Sequence, residues 1–162
     1  MSVSRQVDAS GAARMVDVGD KPDSARWATA CARVKMSAKL AARIGEKAMA
    51  KGDVLAVARL AGIMAAKRTA DLIPLCHPVR LDAVRVDFTL GEGCVDVRAR
   101  ASAHDRTGVE MEALTAACIT ALTIYDMCKS ADRTMVIEYV RLEEKAGGKS
   151  GHFRRPAAAG EP

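Results

Sequence analysis

The sequence predicts an α+β fold in which helices cover one face of a four-stranded antiparallel sheet. Three observations lead to this prediction. Apolar and polar residues alternate in several short segments, apolar residues recur at helical spacing in others, and no internal repeat divides the chain. The chain has 162 residues, of which 49% are hydrophobic and 28% charged, a composition that suits one globular domain with its own core.

The first third of the chain indicates one strand followed by two helices. Small apolar residues occupy every second position of 26–36, and this alternation is typical of a strand with one buried face. Ser37 is a candidate N-cap for a first helix, and Asp53, after the break at Lys51-Gly52, is a candidate N-cap for a second. The second helix extends to about Lys67 and is apolar almost all round, so it is predicted to be buried.

A constrained loop and a β-hairpin are predicted next. Pro74 and Pro78 require an ordered loop or an extended piece at 71–78. Apolar and polar residues then alternate at 84–90 and again at 95–102, with a short glycine-containing segment between them. This pattern predicts two strands joined by a tight turn, with one face buried and the other facing something polar.

The last third indicates a long helix and a final strand. Thr107 and Glu110 have the spacing of a capping box, and apolar residues at helical spacing continue to about Ser130. Residues 134–142 carry the β-branched and aromatic residues of a strand. If the two early helices count as one connection, the order is βαββαβ, which is the ferredoxin-like arrangement.

The composition also divides the chain. Residues 1–25 are polar and predict a loosely ordered lead-in, and 26–144 form the single predicted catalytic domain. Residues 145–162 are rich in glycine, alanine and basic side chains, so a flexible basic tail is predicted there.

Charge and cysteine content restrict the function classes. The net charge of +5 favours an anionic partner, whereas 3% aromatic residues are too few for a surface that stacks nucleic-acid bases. A small phosphorylated ligand therefore suits the chain better than nucleic acid, although a merely solvated basic surface stays open. The five cysteines include no Cys-x-x-Cys pair, and no apolar segment has the length of a membrane span or a signal-peptide core. A cytoplasmic protein without a membrane partner is expected.

Three charged residues are candidates for proton transfer. Asp126 and Lys129 stand three apart on one side of the long helix, and a carboxylate beside an ammonium can hold a proton donor and acceptor. The alternative is an ordinary surface ion pair. Lys51 lies between two helices, where a lysine can contact a phosphate, act as an acid, or simply be solvated.

His77 lies in the proline-bounded loop directly after Cys76. A metal site is not predicted, because no further Cys/His pair has structural-zinc spacing. The imidazole is a candidate for moving protons or binding an anion, and a buried, hydrogen-bonded histidine without a catalytic role is the alternative.

The glycine-rich segment 147–151 is not a Walker phosphate loop, since Glu143 stands where that pattern requires glycine. It can instead carry Lys145 and Lys149 over an anionic ligand, or form part of a disordered tail. Glu110 and Glu112 stand two apart on a helix, so they point to different sides and do not form a paired-carboxylate site.

Seven motifs in order, with their spacing, closely resemble the cyclic pyranopterin monophosphate synthase family of molybdenum-cofactor biosynthesis. They cover the chain from about Met15 to Gly151. The motifs read MVDV at 15–18, KGDV at 51–54, AAKRT at 65–69, DLIPLCHP at 71–78, TGVEMEALT at 107–115, ALTIYDMCK at 121–129 and GGKSG at 147–151.

The resemblance implies a ferredoxin-like fold and a homohexamer, a trimer of dimers, with active sites at subunit interfaces. It implies a lyase that converts (8S)-3′,8-cyclo-7,8-dihydroguanosine 5′-triphosphate to cyclic pyranopterin monophosphate and diphosphate, with no metal or organic cofactor. Arg106 stands where a lysine is common in the family, which keeps the charge. Two rivals are a binding module without catalysis and a basic RNA-binding domain.

The resemblance also implies roles for individual residues. Lys51 and Lys129 are expected as the central acid/base pair, Asp126 as the group that sets the lysine's protonation, and His77 as a residue that binds or shuttles protons. The implied substrate-binding residues are Arg26, Leu75, Cys76, His77, Glu110, Met111, Glu112, Lys145 and Lys149.

Overall fold

The computed structural model describes residues 6–7, 10–149 and 151–156. The other residues of the predicted lead-in, and Ser150 and 157–162 of the predicted tail, lie outside this described part. The elements in chain order are β1 (Ser24–Lys35), α1 (Ala38–Gly45), α2 (Val54–Ala66), α3 (Thr69–Leu72), β2 (Leu81–Gly91), β3 (Cys94–Asp105), α4 (Glu110–Cys128), β4 (Val136–Ala146) and β5 (Phe153–Arg154).

All five strands form one antiparallel sheet in the order β2-β3-β1-β4-β5. The mixed α+β class is confirmed, but the predicted number of four strands is wrong. β4 continues to Ala146, and Phe153 and Arg154 from the predicted tail pair with Lys145 and Glu144. Because the outer side of β4 would otherwise present unpaired backbone groups, the short β5 satisfies part of an exposed sheet edge.

The core lies between one face of the sheet and the helices. Small residues from β1 and β3 face each other on this side, in the pairs Ala28–Ala101, Ala30–Ala99, Ala32–Val97 and Val34–Val95, and all of them are buried. α4 packs across β1, β3 and β4, and α2 packs on α4 and β2. The alternation predicted for the first strand and the hairpin is therefore confirmed, and small side chains allow α4 to lie close to the sheet.

The opposite face of the sheet is charged. Arg33 donates from Nε and Nη2 to Asp96 Oδ1 and Oδ2 at 2.7 and 2.9 Å, which is a two-point contact between neighbouring strands. Arg141 and Glu143 form a second ion pair on β4, at 3.3 Å. The predicted polar face of the hairpin thus belongs to a wider charged surface.

Two of the three predicted helix caps are confirmed. The Ser37 and Asp53 side chains accept from Leu40 N and Ala56 N, at 3.4 and 3.0 Å. The predicted Thr107 capping box is wrong, because α4 has Val109 as its N-cap residue without a side-chain cap bond. Thr107 lies instead in the loop that borders the main cavity.

α2 and α4 approach each other closely at Gly62. A Cβ atom on this residue would lie 2.1 Å from Thr120 Oγ1 and 3.0 Å from the Ala116 carbonyl oxygen, so a side chain does not fit. The other face of α2 carries exposed Val57, Leu60 and Met64. The prediction that α2 is buried all round is therefore wrong, since only the face toward α4 and the sheet is covered.

α4 has the length and apolar composition of a membrane-crossing helix. It is also the central helix of the core, and half of its most apolar stretch is buried against the rest of the chain. Core helices commonly pass such a test, so α4 is weak evidence for a membrane span.

Candidate active site

A cavity of about 460 Å³ lies where β1, the end of β4, the start of α4 and the loop before β2 meet. Every predicted substrate-binding residue except Lys149 lines it. Further lining residues, which the sequence did not indicate as site residues, include Val16, Val18, Lys21, Trp27, Arg106 and Thr107.

Cationic side chains border one side of the cavity. Arg26 donates from Nε to the Asp105 carbonyl at 2.8 Å and from Nη2 to the Arg106 carbonyl at 3.1 Å. Arg106 donates from Nη1 to the Gly19 carbonyl at 3.1 Å, and its Nε lies 3.4 Å from the Asp23 carboxylate. Lys21 lines the same cavity. Backbone oxygens thus hold both guanidinium groups, an arrangement suited to an anionic ligand that competes with Asp23 for Arg106.

Lys145, the second-last residue of β4, carries a further positive charge into the cavity. Its Nζ donates to Glu110 Oε2 at 2.5 Å, and both side chains are half-buried. An anionic group in the cavity would compete with Glu110 for this ammonium. The pair therefore supplies a cation that a carboxylate holds in position before a ligand binds.

Glu112 is a buried carboxyl in the cavity wall, with 4% of its surface exposed. Burial raises its pKa above the ordinary glutamate range, and the negative charge of Asp105 adds to this effect. The Cys76 thiol lines the same cavity, and burial together with the nearby Glu112 charge raises its pKa as well. The carboxyl is therefore biased toward its protonated form, which can donate a proton or a hydrogen bond.

His77 is fixed by the N-terminal segment. Its Nε2 lies 2.6 Å from the Val16 carbonyl oxygen, which only accepts hydrogen bonds, so Nε2 carries the hydrogen and Nδ1 of a neutral ring is an acceptor. Val16, Val18 and Lys21 also line the cavity. Part of the predicted lead-in thus forms a wall of the candidate site.

The other predicted catalytic residues form a second cluster at the far end of α4. Lys129 Nζ donates to Asp126 Oδ1 at 2.6 Å, and Lys51 Nζ donates to the Asp126 carbonyl at 3.2 Å. The hydrogen bond and charge of Lys129 lower the pKa of Asp126, and Lys51 adds to this effect. The Asp126 side chain is 62% exposed, so this cluster is open to solvent.

The two regions are well separated within one chain. Glu110 borders the cavity and Asp126 lies sixteen residues later in the same helix, which at 1.5 Å per residue corresponds to about 24 Å along the axis. The structure therefore brings His77 together with the predicted substrate-binding residues, but not Lys51, Asp126 or Lys129.

Lys149 is exposed in the turn after β4 and does not line the cavity. Trp27, which does, was absent from the predicted site although it is the only tryptophan of the chain. The Arg100 guanidinium lies 3.9 Å from the centre of its ring. Among the residues that the structure describes, no group of three or more His, Cys, Asp or Glu side chains is arranged to hold a metal ion.

Comparison with known proteins gives a consistent result. The sequence model of the MoaC family matches residues 15–148. The chain is 57% identical over 150 residues to a protein named cyclic pyranopterin monophosphate synthase from Heliobacterium modesticaldum, covering 91% of this chain and 94% of that protein.

Two further relatives carry the same name. The one from Pelobacter propionicus is 58% identical, with 91% of this chain and 94% of the relative covered. The one from Thermomicrobium roseum is 55% identical, with 92% and 91% covered. Since the family match extends over residues 15–148 and these relatives are 55–58% identical over most of the chain, this chain belongs to the MoaC family.

Proposed function

We propose that this chain is a cyclic pyranopterin monophosphate synthase, a lyase that converts (8S)-3′,8-cyclo-7,8-dihydroguanosine 5′-triphosphate to cyclic pyranopterin monophosphate and diphosphate in molybdenum-cofactor biosynthesis. The observation that carries the proposal is the cavity, which combines a cationic border with a buried carboxyl and an oriented histidine. Relatives of this name match more than nine-tenths of the chain, which supports the same activity.

The cationic border suits the triphosphate of this substrate. Arg26 and Arg106 can form charge-assisted hydrogen bonds with phosphate oxygens. Lys145 can do the same when its ammonium leaves Glu110 and bonds to a phosphate oxygen instead. In the closing step, a sugar hydroxyl gives its proton to a base and its oxygen bonds to the α-phosphorus. The bond from that phosphorus to the bridging oxygen breaks, and diphosphate leaves. Positive charge at this border stabilises the charge that develops on the leaving group.

Protons must also move while the purine-derived ring opens and the pterin forms. Glu112, whose pKa burial raises, is a candidate donor, and His77 Nδ1 is a candidate acceptor. We assign the central acid/base role to Lys51 and Lys129, with Asp126 as the hydrogen-bond partner of Lys129.

The separation of the two regions supports a homo-oligomer in which different subunits complete each site. One chain cannot place the cavity and the Lys51 cluster around one small molecule when about 24 Å of helix separates them. The exposed apolar stripe of Val57, Leu60 and Met64 on α2 is of the kind that subunit contacts bury. A homohexamer built as a trimer of dimers is the proposed assembly.

We also propose the ferredoxin-like arrangement for β1 to β4 and a cytoplasmic location. The fold proposal is supported by the observed order of strands and helices, with β5 as an addition to the edge. The location is supported by five free cysteines, which suit a reducing compartment.

Turnover of the enzymatically prepared cyclised dihydro-GTP tests the activity directly. The natural protein is expected to form the pyranopterin product, and Lys51→Ala is expected to lose most of that rate while remaining folded. Lys47→Ala is the matched control, because Lys47 is another exposed lysine beside an aspartate, Asp53. Absence of product from the natural protein with verified substrate would exclude the enzyme function.

Mixing two impaired variants tests the shared site. Arg26→Ala weakens binding at the cavity and Lys51→Ala damages the far cluster, so activity is measured as kcat/KM, which both changes lower. Equal amounts dissociated and reassembled together should recover about one quarter of the natural kcat/KM if each site uses two subunits. No recovery from mixed oligomers, with exchange of subunits verified by mass, would show that each chain builds its own site.

A further inference from the structure

The chain crosses over Arg26 directly after β4. The pairing of β1 with β4 ends at Trp27 and Ala146, so Gly147 and Gly148 are the first residues beyond that ladder. Their φ angles are +104° and +71°, and residues other than glycine rarely adopt this region of backbone conformation. These two residues turn the chain across the start of β1 and beside the cavity.

Gly147 lies against the backbone beside Arg26, and Gly148 lies against the Arg26 side chain. A Cβ atom on Gly147 would lie 2.2 Å from the Ala25 carbonyl oxygen, which is fixed backbone. A Cβ atom on Gly148 would lie 2.0 Å from Arg26 Nη1 and 2.7 Å from Cζ, at the mobile end of a side chain. Gly147 therefore lets the backbones pass, whereas Gly148 leaves the space that the guanidinium occupies.

The guanidinium is also held from its other side. Nε and Nη2 donate to the carbonyl oxygens of Asp105 and Arg106, and these two bonds fix the plane of the group. Gly148 limits movement at Nη1, the nitrogen that the two carbonyl bonds do not use. Arg26 is thus confined between the end of β3 and the glycine pair, and it lines the cavity from this position.

We propose that Gly147 and Gly148 are positioning residues that fix Arg26 so that its remaining N–H groups meet a phosphate of the substrate. The inference rests on the proposed function, because it assigns this contact to the substrate's triphosphate. A methyl group at Gly148 displaces the guanidinium from its carbonyl partners, and the remaining N–H groups then no longer face the ligand. Gly148 acts on the reaction only through Arg26.

The test compares Gly148→Ala with Gly151→Ala, Arg26→Ala and the double variant. Gly151 also has a positive φ, +65°, but a Cβ atom there meets nothing within 4 Å, so its variant carries the backbone strain without the contact. Measurements are KM and kcat with cyclised dihydro-GTP, the Kd of inorganic triphosphate by calorimetry, and Tm.

Gly148→Ala is expected to raise KM and the triphosphate Kd by about tenfold or more, with a smaller change in kcat, because a charge-assisted contact is lost. Arg26→Ala should do the same, and the double variant should bind no more weakly than Arg26→Ala. Gly151→Ala should bind as the natural protein does. Unchanged binding by Gly148→Ala, or an equal loss from Gly148→Ala in the natural and Arg26→Ala backgrounds, would overturn the proposal.

Thermal stability decides the case in which Gly148→Ala folds poorly. Removing the guanidinium makes room for the added methyl group, so Gly148→Ala should lower Tm less in the Arg26→Ala background than in the natural protein. Equal losses of Tm would show that the glycine does not act through Arg26. Since triphosphate binding and Tm need no turnover, they test this contact even if the natural protein forms no pyranopterin product.

Discussion

Glu112, in the first turn of α4, and Asp126, in its last turn, are carboxyl groups of one helix in opposite surroundings. Glu112 is buried in the cavity wall, and burial raises its pKa. Asp126 is exposed, and its ion pair with Lys129 lowers its pKa. Burial and ion pairing act in opposite directions on the pKa of an acid, so one helix carries one carboxyl whose pKa is raised and another whose pKa is lowered.

The comparison also separates binding from chemistry. The cavity end is a concave site with a cationic border, where backbone carbonyl oxygens hold the Arg26 guanidinium. The far end has an open ion pair, and exposed ion pairs contribute little to stability. The residues of the far cluster are therefore expected to be needed for turnover much more than for folding, and four predictions test this difference.

The largest effect is expected from Lys129→Met, which keeps an unbranched side chain of similar length but removes the ammonium group. Because loss of a general acid or base typically costs about a hundredfold or more, kcat should fall by that factor. Tm should stay close to that of the natural protein, since the Lys129–Asp126 pair is exposed. Steady-state kinetics and thermal melts measure both, and a kcat within about threefold of the natural value would contradict the assignment.

Lys145→Met should affect binding more than the chemical steps. Removal of this cation is expected to raise KM about tenfold, with kcat largely retained, because Lys145 lies at the cationic border of the cavity. Lys35→Met is the matched control, since Lys35 is a strand lysine that pairs with a glutamate, Glu138, away from the cavity. A KM equal to that of the control variant would remove Lys145 from the binding site.

Glu112→Gln should increase the free energy of unfolding at neutral pH, because it removes a buried group that can ionise. The native state binds the Glu112 proton more tightly than the unfolded chain, so ionisation of this group lowers stability as pH rises above the ordinary glutamate pKa. The gain should therefore vanish below about pH 4, where both states are protonated.

Urea unfolding at pH 7 and at acid pH measures this difference, with exposed Glu46→Gln as the control. A gain of the same size at both pH values would mean that ionisation of Glu112 is not its cause. A loss of stability at pH 7 would mean that the carboxylate has favourable partners in the folded protein.

The smallest effect is expected for Asp126→Asn. This substitution should lower the free energy of unfolding at neutral pH, whereas Glu112→Gln should raise it. The folded-state pKa of Asp126 is lowered, so its contribution is present above the ordinary aspartate pKa and is lost as pH falls through the folded value. Asp126→Asn should be slightly less stable at neutral pH and indistinguishable at strongly acid pH. Thermal melts at the two pH values test the sign, which a gain at neutral pH would refute.

Local patterns predicted most of the fold. The alternation in β1 and the hairpin, and the caps at Ser37 and Asp53, depend on residues close in sequence, and the structure confirms them. The prediction of a capping box at Thr107 was wrong because α4 begins later, after Val109, and Thr107 lies in the preceding loop, where it lines the cavity. β5 was missed because a two-residue strand is defined by its partner, β4, and not by its own pattern.

The candidate site was predicted in part. The family resemblance indicated the loop at 75–77 and the start of α4, which line the cavity together. The wall formed by Val16 and Val18 was missed because its key contact uses a backbone carbonyl, which leaves no signature in the sequence. The separation of Lys51 from the cavity depends on where each end of α4 lies, which motif spacing does not reveal.

Trp27 gives the cavity a property that its chemistry does not need. It is the only tryptophan of the chain, it lines the cavity, and the Arg100 guanidinium lies over its ring. All indole fluorescence of the protein therefore originates at one wall of this cavity. Because indole emission responds to nearby charge and solvent, the unlabelled protein carries its own optical reporter of an anion arriving beside Arg26.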